Sequence, residues 1–448
     1  MLLNLVRGYH VRMSRLVLVL GLLAGCAAPR PGDGILTVGA AKVDITPAVE
    51  TYEDANGNGR YDAGEPFQDL NGNGKWDPVW LAGFKPRSAD SVHDPIWARA
   101  ILFEKAGRRA IVISCDIVGF LHPHVRALRE KIEGVDLVIF ASTHCHSAAD
   151  TVGLWGPFPG VSGLSDTVLK QLEDGVLECA RRAVASRVPA SLAAGSARVE
   201  GVCKDIRPPD IRNETVASLV ARDRAGKPIA VVVNFAMHPE GMGSKNRAVS
   251  SDYPHYVREA VERDFPGAVG VFVSGDLGGM QTPDVKEHTW AEIQRCGETI
   301  AARAKESLAG AGEVAVPEVK FASATVEFPL RNRRFLAAFQ AGTFGKDVGP
   351  TLRESQGEYL LRSEVSALRL GEILFVTVPG EALPEVGKEV FSLMNARHRF
   401  LVGLGQDEVG YILPKADFDP KKYEESMSLG PETAPTLLDA LNTLLKGF

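Results

Sequence analysis

The chain has 448 residues, of which 45% are hydrophobic and 24% are charged, the composition of a globular protein with material for a large core. The formal net charge of −6 and the isoelectric point near 6.0 provide no basic surface, so we expect no nucleic acid as a partner. After residue 30 no run approaches the roughly 18 apolar residues that a membrane-spanning helix requires.

The first residues have the pattern of an export signal. Arginines precede an apolar run over residues 16–23, and small residues then lead to a cysteine in Leu23-Ala24-Gly25-Cys26. This ending resembles a bacterial lipobox, whose cysteine is acylated and becomes the first mature residue. We predict a signal peptide over 1–25 and a lipidated Cys26 with a tether over 26–35, hence an exported lipoprotein anchored to the membrane on the periplasmic or cell-surface side. The alternative is a plain signal peptide with an unrelated cysteine, and the signal is complete even from Met13.

The other five of the six cysteines lack the paired spacing of a disulfide framework. They are Cys115, Cys145, Cys179, Cys203 and Cys296. We predict that most of them are buried free thiols.

Strand-like and helix-like segments alternate from residue 36 onward. Short apolar runs bounded by turns predict strands at 36–43, 98–104, 110–115, 137–142, 217–222, 229–236, 269–274, 365–370 and 373–378. Apolar residues at helical spacing predict helices at 125–132, 167–185, 253–263, 289–308, 384–394 and 436–444. The alternation favours an α/β or α+β fold, with one large domain over 36–448 built on a mixed β-sheet flanked by helices.

Residues 51–80 interrupt this alternation with two copies of Asp-x-Asn-Gly-Asn-Gly. The first copy fills positions 1, 3, 5, 9 and 12 of a calcium loop with Asp54, Asn56, Asn58, Asp62 and Glu65. The second copy fills the first four of these positions with Asp69, Asn71, Asn73 and Asp77. Its position 12 is Trp80, and the copies lie too close together for a helix on each side of each loop. We predict a calcium-binding loop insertion that orders this segment; the alternative is a pair of Asn-Gly turns without metal.

Polar residues follow four of the predicted strands. His144 and His146 come directly after the strand at 137–142, and His238 follows the strand at 229–236. A glycine-rich turn with a hydroxyl and two carboxylates follows 269–274, and Pro-Gly-Glu follows 373–378. Residues i and i+2 of an extended segment point to the same side, and open α/β sheets bind ligands at the carboxyl ends of strands. The histidine pair alone is weak evidence for a metal, since capping or packing explains it more simply, but the four strand ends together predict a catalytic metal site.

Taken together, these segments resemble the N-terminal catalytic domain of the neutral/alkaline (non-lysosomal) ceramidases, which are zinc amidohydrolases. The resemblance is carried by segments at 38–47, 94–100, 114–116, 143–147, 234–239, 378–381 and 410–412, so it covers nearly the whole mature chain. In that family one zinc is held by two histidines, a glutamate and a tyrosine. The resemblance assigns these roles to His144, His238, Glu381 and Tyr411.

The resemblance also implies roles for neighbouring polar residues. His146 would contact the reacting carbonyl or transfer a proton, and Thr282 and Arg207 would orient the polar head of the substrate. The run that contains Thr282 is one residue longer than the Gly-Asp-Val-Ser-Pro-Asn of the family. Three aspartates are candidates for orienting the ligands, or for ordinary capping and turns: Asp116, Asp252 and Asp276.

The predicted function is zinc-dependent hydrolysis of an amide, with the N-acyl bond of a ceramide-like lipid as the favoured case. The implied cofactors are Zn²⁺ and Ca²⁺, and the implied partners are a lipid or another acylated amide and, through the anchor, the membrane. Two alternatives stay open: the same zinc site cleaves an ester or another acylated amine, or the chain is an inactive calcium-binding surface module. Since the chain stops at residue 448, we also expect no counterpart of the immunoglobulin-like C-terminal domain of full-length ceramidases.

Overall fold

The computed structural model describes residues 34–345, 351–355 and 357–448. The predicted signal peptide and the predicted lipid site at Cys26 lie outside the described residues. Within the described part of the chain, no helix is both long enough and apolar enough to cross a bilayer.

Strands and helices alternate along the chain, and most lie where the sequence predicts them. The strands are β1 (Thr37–Asp44), β2 (Ser91–Val92), β3 (Trp97–Lys105), β4 (Arg108–Cys115), β5 (Leu137–Ser142), β6 (Val188–Arg198), β7 (Cys203–Asp205), β8 (Thr215–Asp223), β9 (Pro228–Phe235), β10 (Ala248–Val249), β11 (Val269–Ser274), β12 (Gln281–Pro283), β13 (Glu313–Val314), β14 (Val319–Pro329), β15 (Leu352–Ser355), β16 (Glu358–Leu370), β17 (Ile373–Thr377), β18 (Glu381–Ala382), β19 (His398–Val402) and β20 (Tyr411–Ile412). The helices are α1 (His122–Lys131), α2 (Asp166–Ala185), α3 (Tyr253–Asp264), α4 (Trp290–Leu308), α5 (Arg333–Ala341), α6 (Pro384–Leu393), α7 (Tyr423–Ser426) and α8 (Thr433–Leu445).

The larger sheet has nine strands in the described residues, in the order β11-β9-β8-β6-β1-β3-β4-β5 with β13 beside β6. The pairs β4–β5 and β9–β11 are parallel and the other pairs are antiparallel, so the sheet is mixed, as predicted. All six residues of β5 are buried, which is typical of a strand covered on both faces. The helices α2, α3 and α4 pack on this sheet and confirm the predicted mixed α/β class.

A second sheet was not predicted. It contains β14-β16-β17-β19, with β15 beside β16. The rings of Phe375 and Phe400 stack on its inner face with centroids 4.5 Å apart, and Phe375 also meets Phe103 of the larger sheet. Strand β14 has mostly partly buried or exposed side chains, so it lacks the apolar run by which the other strands were recognised. Hydrophobic patterning locates strands but does not assign them to sheets, so the second sheet could not be inferred from the sequence.

The larger sheet folds so that β11 lies against β3 and β4. The Arg99 guanidinium donates to the carbonyl of Gly270 at 2.9 Å, and the Ser114 hydroxyl donates to the carbonyl of Phe272 at 2.5 Å. At the carboxyl end of β11, the Ser274 hydroxyl donates to the carbonyl of Thr143, directly after β5, at 2.8 Å. The segments that follow β5, β9 and β11 therefore meet, although these strands are far apart in the strand order.

The five described cysteines, Cys115, Cys145, Cys179, Cys203 and Cys296, are all buried free thiols, as predicted. Burial raises the pKa of the Cys179 thiol to about 12 and that of the Cys203 thiol far above its usual range, so neither is ionised at neutral pH.

Candidate metal centre

Two buried histidines present the same ring nitrogen to a common point. His144 has a positive φ of 67°, unusual for a residue with a side chain, and its Nδ1 lies 2.7 Å from the carbonyl oxygen of Val118. The Nδ1 of His238 lies 3.2 Å from the carbonyl oxygen of Gln281. A backbone carbonyl can only accept, so each Nδ1 carries the proton, and each Nε2 is left with the lone pair that a metal requires.

Glu381 and Tyr411 reach this point together because they are paired in neighbouring strands. In the parallel pair β18–β20, Glu381 is the direct partner of Tyr411. The Oε2 of Glu381 lies 2.8 Å from Nε2 of His238 and 3.4 Å from Nε2 of His144. Burial opposes ionisation of this carboxyl, but the two imidazoles hold its pKa far below the usual range. Burial and then the Glu381 carboxylate raise the pKa of Tyr411, whose hydroxyl lies 3.1 Å from the sulfur of Met280.

His146 is adjacent to the other two histidines and faces a further carboxylate. Its Nδ1 lies 3.2 Å from Oε2 of Glu240, and its Nε2 is buried with no hydrogen-bond partner among the described residues. Burial lowers the pKa of His146 to about 4 despite the nearby Glu240, so its imidazole is neutral at neutral pH. The sequence reasoning missed Glu240, although Glu240 follows His238 by two residues.

Close packing fixes the ring of His146. The ring of Phe84 meets the His146 ring edge to face at a centroid distance of 5.1 Å. Gly83 has a φ of +86°, and a Cβ at this position would lie 2.2 Å from Cγ of His146. The buried Arg87 guanidinium donates to the carbonyl oxygen of His146 and so holds the backbone from the other side. This loop therefore leaves the imidazole little freedom.

The donor set fits a zinc ion. The candidate ligand atoms of His144, His146 and His238 all lie within 4.8 Å of one another. With metal–ligand bonds of about 2.0–2.2 Å, tetrahedral ligands lie about 3.3 Å apart, which is close to the distances between the Glu381 carboxylate and the two imidazoles. The unpaired Nε2 of His146 adds one more nitrogen to the cluster that no hydrogen bond occupies. The structure thus brings the four predicted ligands and His146 together, and their individual roles stay predictions.

An apolar pocket opens onto these groups. His144, His146, Glu381 and Tyr411 all line it. The apolar part of its wall comprises Leu121, Leu154, Trp155, Phe335, Phe339 and Phe344. The sequence reasoning found no such pocket, because its lining comes from loops and from helix α5, which was not predicted.

Helix α5 is defined by its ends. The side chain of Asn332 caps its start by accepting hydrogen bonds from the backbone of Arg334 and Phe335. It ends at Gly342, whose φ of 71° is the left-handed conformation that glycine adopts readily. Phe335 and Phe339 are four residues apart, so they share one face of the helix, and this face lines the pocket.

Neither Thr282 nor Arg207 lines the pocket. Thr282 is in β12, and its hydroxyl hydrogen-bonds the carboxylate of Glu240. Burial opposes ionisation of Glu240, but His146, then His238 and Thr282, lower its pKa to about 2. The guanidinium of Arg207 is paired with Glu424 at 3.0 Å and with Glu425 at 2.8 Å. The predicted roles of Thr282 and Arg207 in orienting the substrate stay predictions.

The three predicted orienting aspartates are buried behind the site. Asp116 accepts from Arg258 at 2.7 Å and from the hydroxyl of Thr143 at 3.3 Å, so it braces the turn that leads to His144. Asp252 caps helix α3, which agrees with the alternative of ordinary capping. Asp276 accepts from the amide group of Asn213 at 2.7 Å.

The insertion at 51–80 forms two loops with matching hydrogen bonds. In the first, Asp54 accepts from the backbone of Gly59 at 2.7 Å, and Glu65 accepts from the backbone of Ala55 at 3.0 Å and of Asp62 at 2.8 Å. In both loops, the asparagines at positions 3 and 5 donate to the aspartate at position 9. Asn56 and Asn58 donate to Asp62 in the first loop, and Asn71 and Asn73 donate to Asp77 in the second.

In the second loop, Glu50 takes the place that Glu65 has in the first. Asp69 accepts from the backbone of Gly74 at 2.8 Å. Glu50 accepts from the backbone of Leu70 at 3.0 Å and of Asp77 at 2.7 Å, the counterparts of Ala55 and Asp62. The sequence reasoning missed Glu50 because it precedes the loop, whereas position 12 of the motif holds Trp80.

No protein-family model matches the chain, and a search of curated proteins finds no match. Among solved structures, a neutral ceramidase from Pseudomonas aeruginosa has a TM-score of 0.69 and 18% identity over 93% of this chain and 75% of that chain. A ceramidase complexed with C2 has a TM-score of 0.70 and 18% identity over 92% of this chain and 75% of that chain. This likeness shows that the chain has a neutral ceramidase-like fold.

Proposed function

We propose that this protein is a zinc-dependent hydrolase that cleaves an amide bond, with the N-acyl bond of a ceramide-like lipid as its substrate. The observation that carries the proposal is the opening of an apolar pocket onto His144, Glu381 and Tyr411, with His238 directly behind them. An amide with a long acyl chain matches both parts of the site, because the chain needs apolar walls and the carbonyl needs polar groups. The ceramidase likeness in fold supports this reading.

The ligands would be Nε2 of His144 and His238, the Glu381 carboxylate and the Tyr411 hydroxyl. When bound there, zinc supplies a Lewis acid that acidifies water and polarises a carbonyl. His146 is placed to accept a proton at its unpaired Nε2 and to return it to the leaving amine. Glu240, 3.2 Å from Nδ1, orients this ring and stabilises its protonated form.

The pocket wall predicts a dependence on acyl chain length. Each methylene buried against groups such as Trp155 and Phe339 contributes about 0.8 kcal/mol, or roughly a fourfold rise in kcat/KM. We would measure kcat/KM for N-acyl ethanolamines with increasing chain length, and for the ester of the same acid at each length. A rise with length for the amides supports the proposal. Rates independent of length, or hydrolysis of the esters alone, would contradict it in favour of an esterase or another amidase.

We also propose that the insertion binds two Ca²⁺ ions, one in each loop, and that Glu50 completes the second site. The observation that supports it is the matching set of backbone contacts made by Glu65 in the first loop and by Glu50 in the second. Carboxylate and amide oxygens are the ligands that Ca²⁺ prefers. The role would be structural, because bound calcium would order a long segment with few apolar side chains.

The membrane anchor is a further part of the proposal. Its support is the lipobox-like sequence that ends at Cys26. A lipid anchor would place an enzyme for lipid amides at the surface of the membrane, on the periplasmic or cell-surface side. Palmitate labelling of the wild type that is lost in Cys26→Ala is the expected result. Export without any label would contradict the anchor and favour a plain signal peptide.

A further inference from the structure

One carboxyl group that lines the pocket has a buried oxygen without a hydrogen-bond partner among the described residues. Glu408 lies in the segment between β19 and β20 and lines the pocket together with Leu121, Val152 and Trp155. Its Oε1 accepts a hydrogen bond from the backbone of Gly410 at 3.0 Å. Its Oε2 is buried and has no hydrogen-bond partner among the described residues. Burying such an oxygen without a partner costs free energy, so a native structure that keeps it calls for an explanation.

Within the described part of the pocket wall, no lysine or arginine compensates this carboxyl. The described residues that line the pocket include no lysine and no arginine. Burial, and then the acidic neighbours Glu381 and Asp407, raise its pKa well above the usual value. Among the described residues, the Oε2 of Glu408 therefore has neither a hydrogen-bond donor nor a positive charge as a partner.

The stem of Glu408 is held in place. A Cβ added to Gly119 would lie 2.8 Å from Cβ and Cγ of Glu408, so the side chain packs directly against the glycine backbone. The hydrogen bond from Gly410 fixes one carboxyl oxygen and thereby the orientation of the other. A fixed acceptor in a pocket with apolar walls is the arrangement by which ligand sites achieve specificity.

We propose that Glu408 is a specificity residue whose Oε2 forms a hydrogen bond with a hydroxyl or ammonium group on the substrate. The inference rests on the proposed function, because the pocket of Glu408 is also the pocket of the candidate ligand Glu381. A substrate that carries a donor satisfies the carboxyl, whereas an analogue without the donor leaves it buried and unpaired. Sites built to bind a hydroxyl reject such analogues strongly for this reason.

The test uses two probes that differ in one group, N-hexanoyl ethanolamine and N-hexanoyl propylamine, in which a methyl replaces the hydroxyl. Calorimetry on the full, metal-loaded chain gives Kd, and product release gives kcat/KM. We expect the wild type to bind the hydroxyl probe at least about tenfold more tightly. Glu408→Leu should reduce this ratio to about one, while Glu408→Gln, which retains an acceptor oxygen, should keep part of it.

Three results separate this inference from the proposed function. Equal Kd values for the two probes in the wild type, or a preference that survives Glu408→Leu, would overturn the role of Glu408. A preference that depends on Glu408, without hydrolysis of either probe, supports the role in binding and counts against the amidase. If Glu408→Leu does not fold, as judged by circular dichroism, the ratio in Glu408→Gln decides. A ratio equal to that of the control Glu389→Gln, at an exposed glutamate of α6 outside the pocket, overturns the role, and a lower ratio supports it.

Discussion

The proposed role of Glu50 leads to a prediction about calcium stoichiometry. Replacing Glu50 with glutamine keeps the shape of the side chain but removes its charge and one of its two acceptor oxygens. The carboxylate is 3% exposed and accepts backbone hydrogen bonds from Leu70 and Asp77. In the calcium-bound loop it would also supply the carboxylate that position 12 lacks, because the side chain of Trp80 has no oxygen.

The magnitude follows from these contacts. A hydrogen bond to a charged group contributes about 1.5–3 kcal/mol, and glutamine can keep at most one of the two contacts as an acceptor. Since about 1.4 kcal/mol corresponds to a factor of ten, the loss of one contact alone weakens the second site by roughly 10- to 100-fold. The missing negative charge lowers calcium affinity further, because affinity depends on the number of charged ligands.

The assay is isothermal calorimetry with Ca²⁺ on the wild type, Glu50→Gln and Glu65→Gln. We expect two ions per wild-type chain and one tight site in each variant. The matched variant Glu65→Gln loses the first site in place of the second and so controls for general damage to the insertion. Two unchanged sites in Glu50→Gln would refute the assignment of Glu50, and the absence of binding in the wild type would favour plain Asn-Gly turns.

Two further predictions concern the candidate metal centre and its surroundings. Gly83→Ala places a methyl 2.2 Å from Cγ of His146, so kcat should fall at least about tenfold. The zinc content, measured by metal analysis, should stay unchanged. A loss of zinc would instead make His146 a ligand. Burial raises the pKa of Asp276 to about 7, so between pH ~4 and 7 the folded protein holds a proton that the unfolded chain releases. The free energy of unfolding therefore falls as pH rises through this range, by up to ~1.4 kcal/mol per pH unit. Urea unfolding of Asp276→Asn at several pH values should show that this contribution to the slope is lost. A slope equal to that of the wild type would contradict the prediction.

The sequence located most of the candidate centre because its residues follow recognisable strands. His144 and His238 come directly after β5 and β9, whose buried apolar runs are unmistakable in the sequence. The resemblance to ceramidases then added Glu381 and Tyr411, which the structure pairs across two short strands. The pattern alone did not show that β5 and β11 meet, since that depends on how the sheet folds.

Other features depend on contacts between distant segments and left no local signal. Glu50 completes the second calcium loop from outside the motif, so a search by spacing could not find it. Helix α5 supplies Phe335 and Phe339 to the pocket, but the helix is short and has only one buried residue. Glu408 resembles any loop glutamate in the sequence, and only its buried oxygen sets it apart.

The measurement that tests the central claim most directly is the metal content of the purified protein together with its amidase activity. The account predicts about one zinc per chain in the wild type, and the loss of both zinc and amide hydrolysis in His238→Ala. The matched variant His398→Ala, at the start of β19 and outside the pocket, should keep the zinc and so controls for the substitution itself. A wild type without zinc, or a His238→Ala variant that keeps it, would contradict the assigned metal centre.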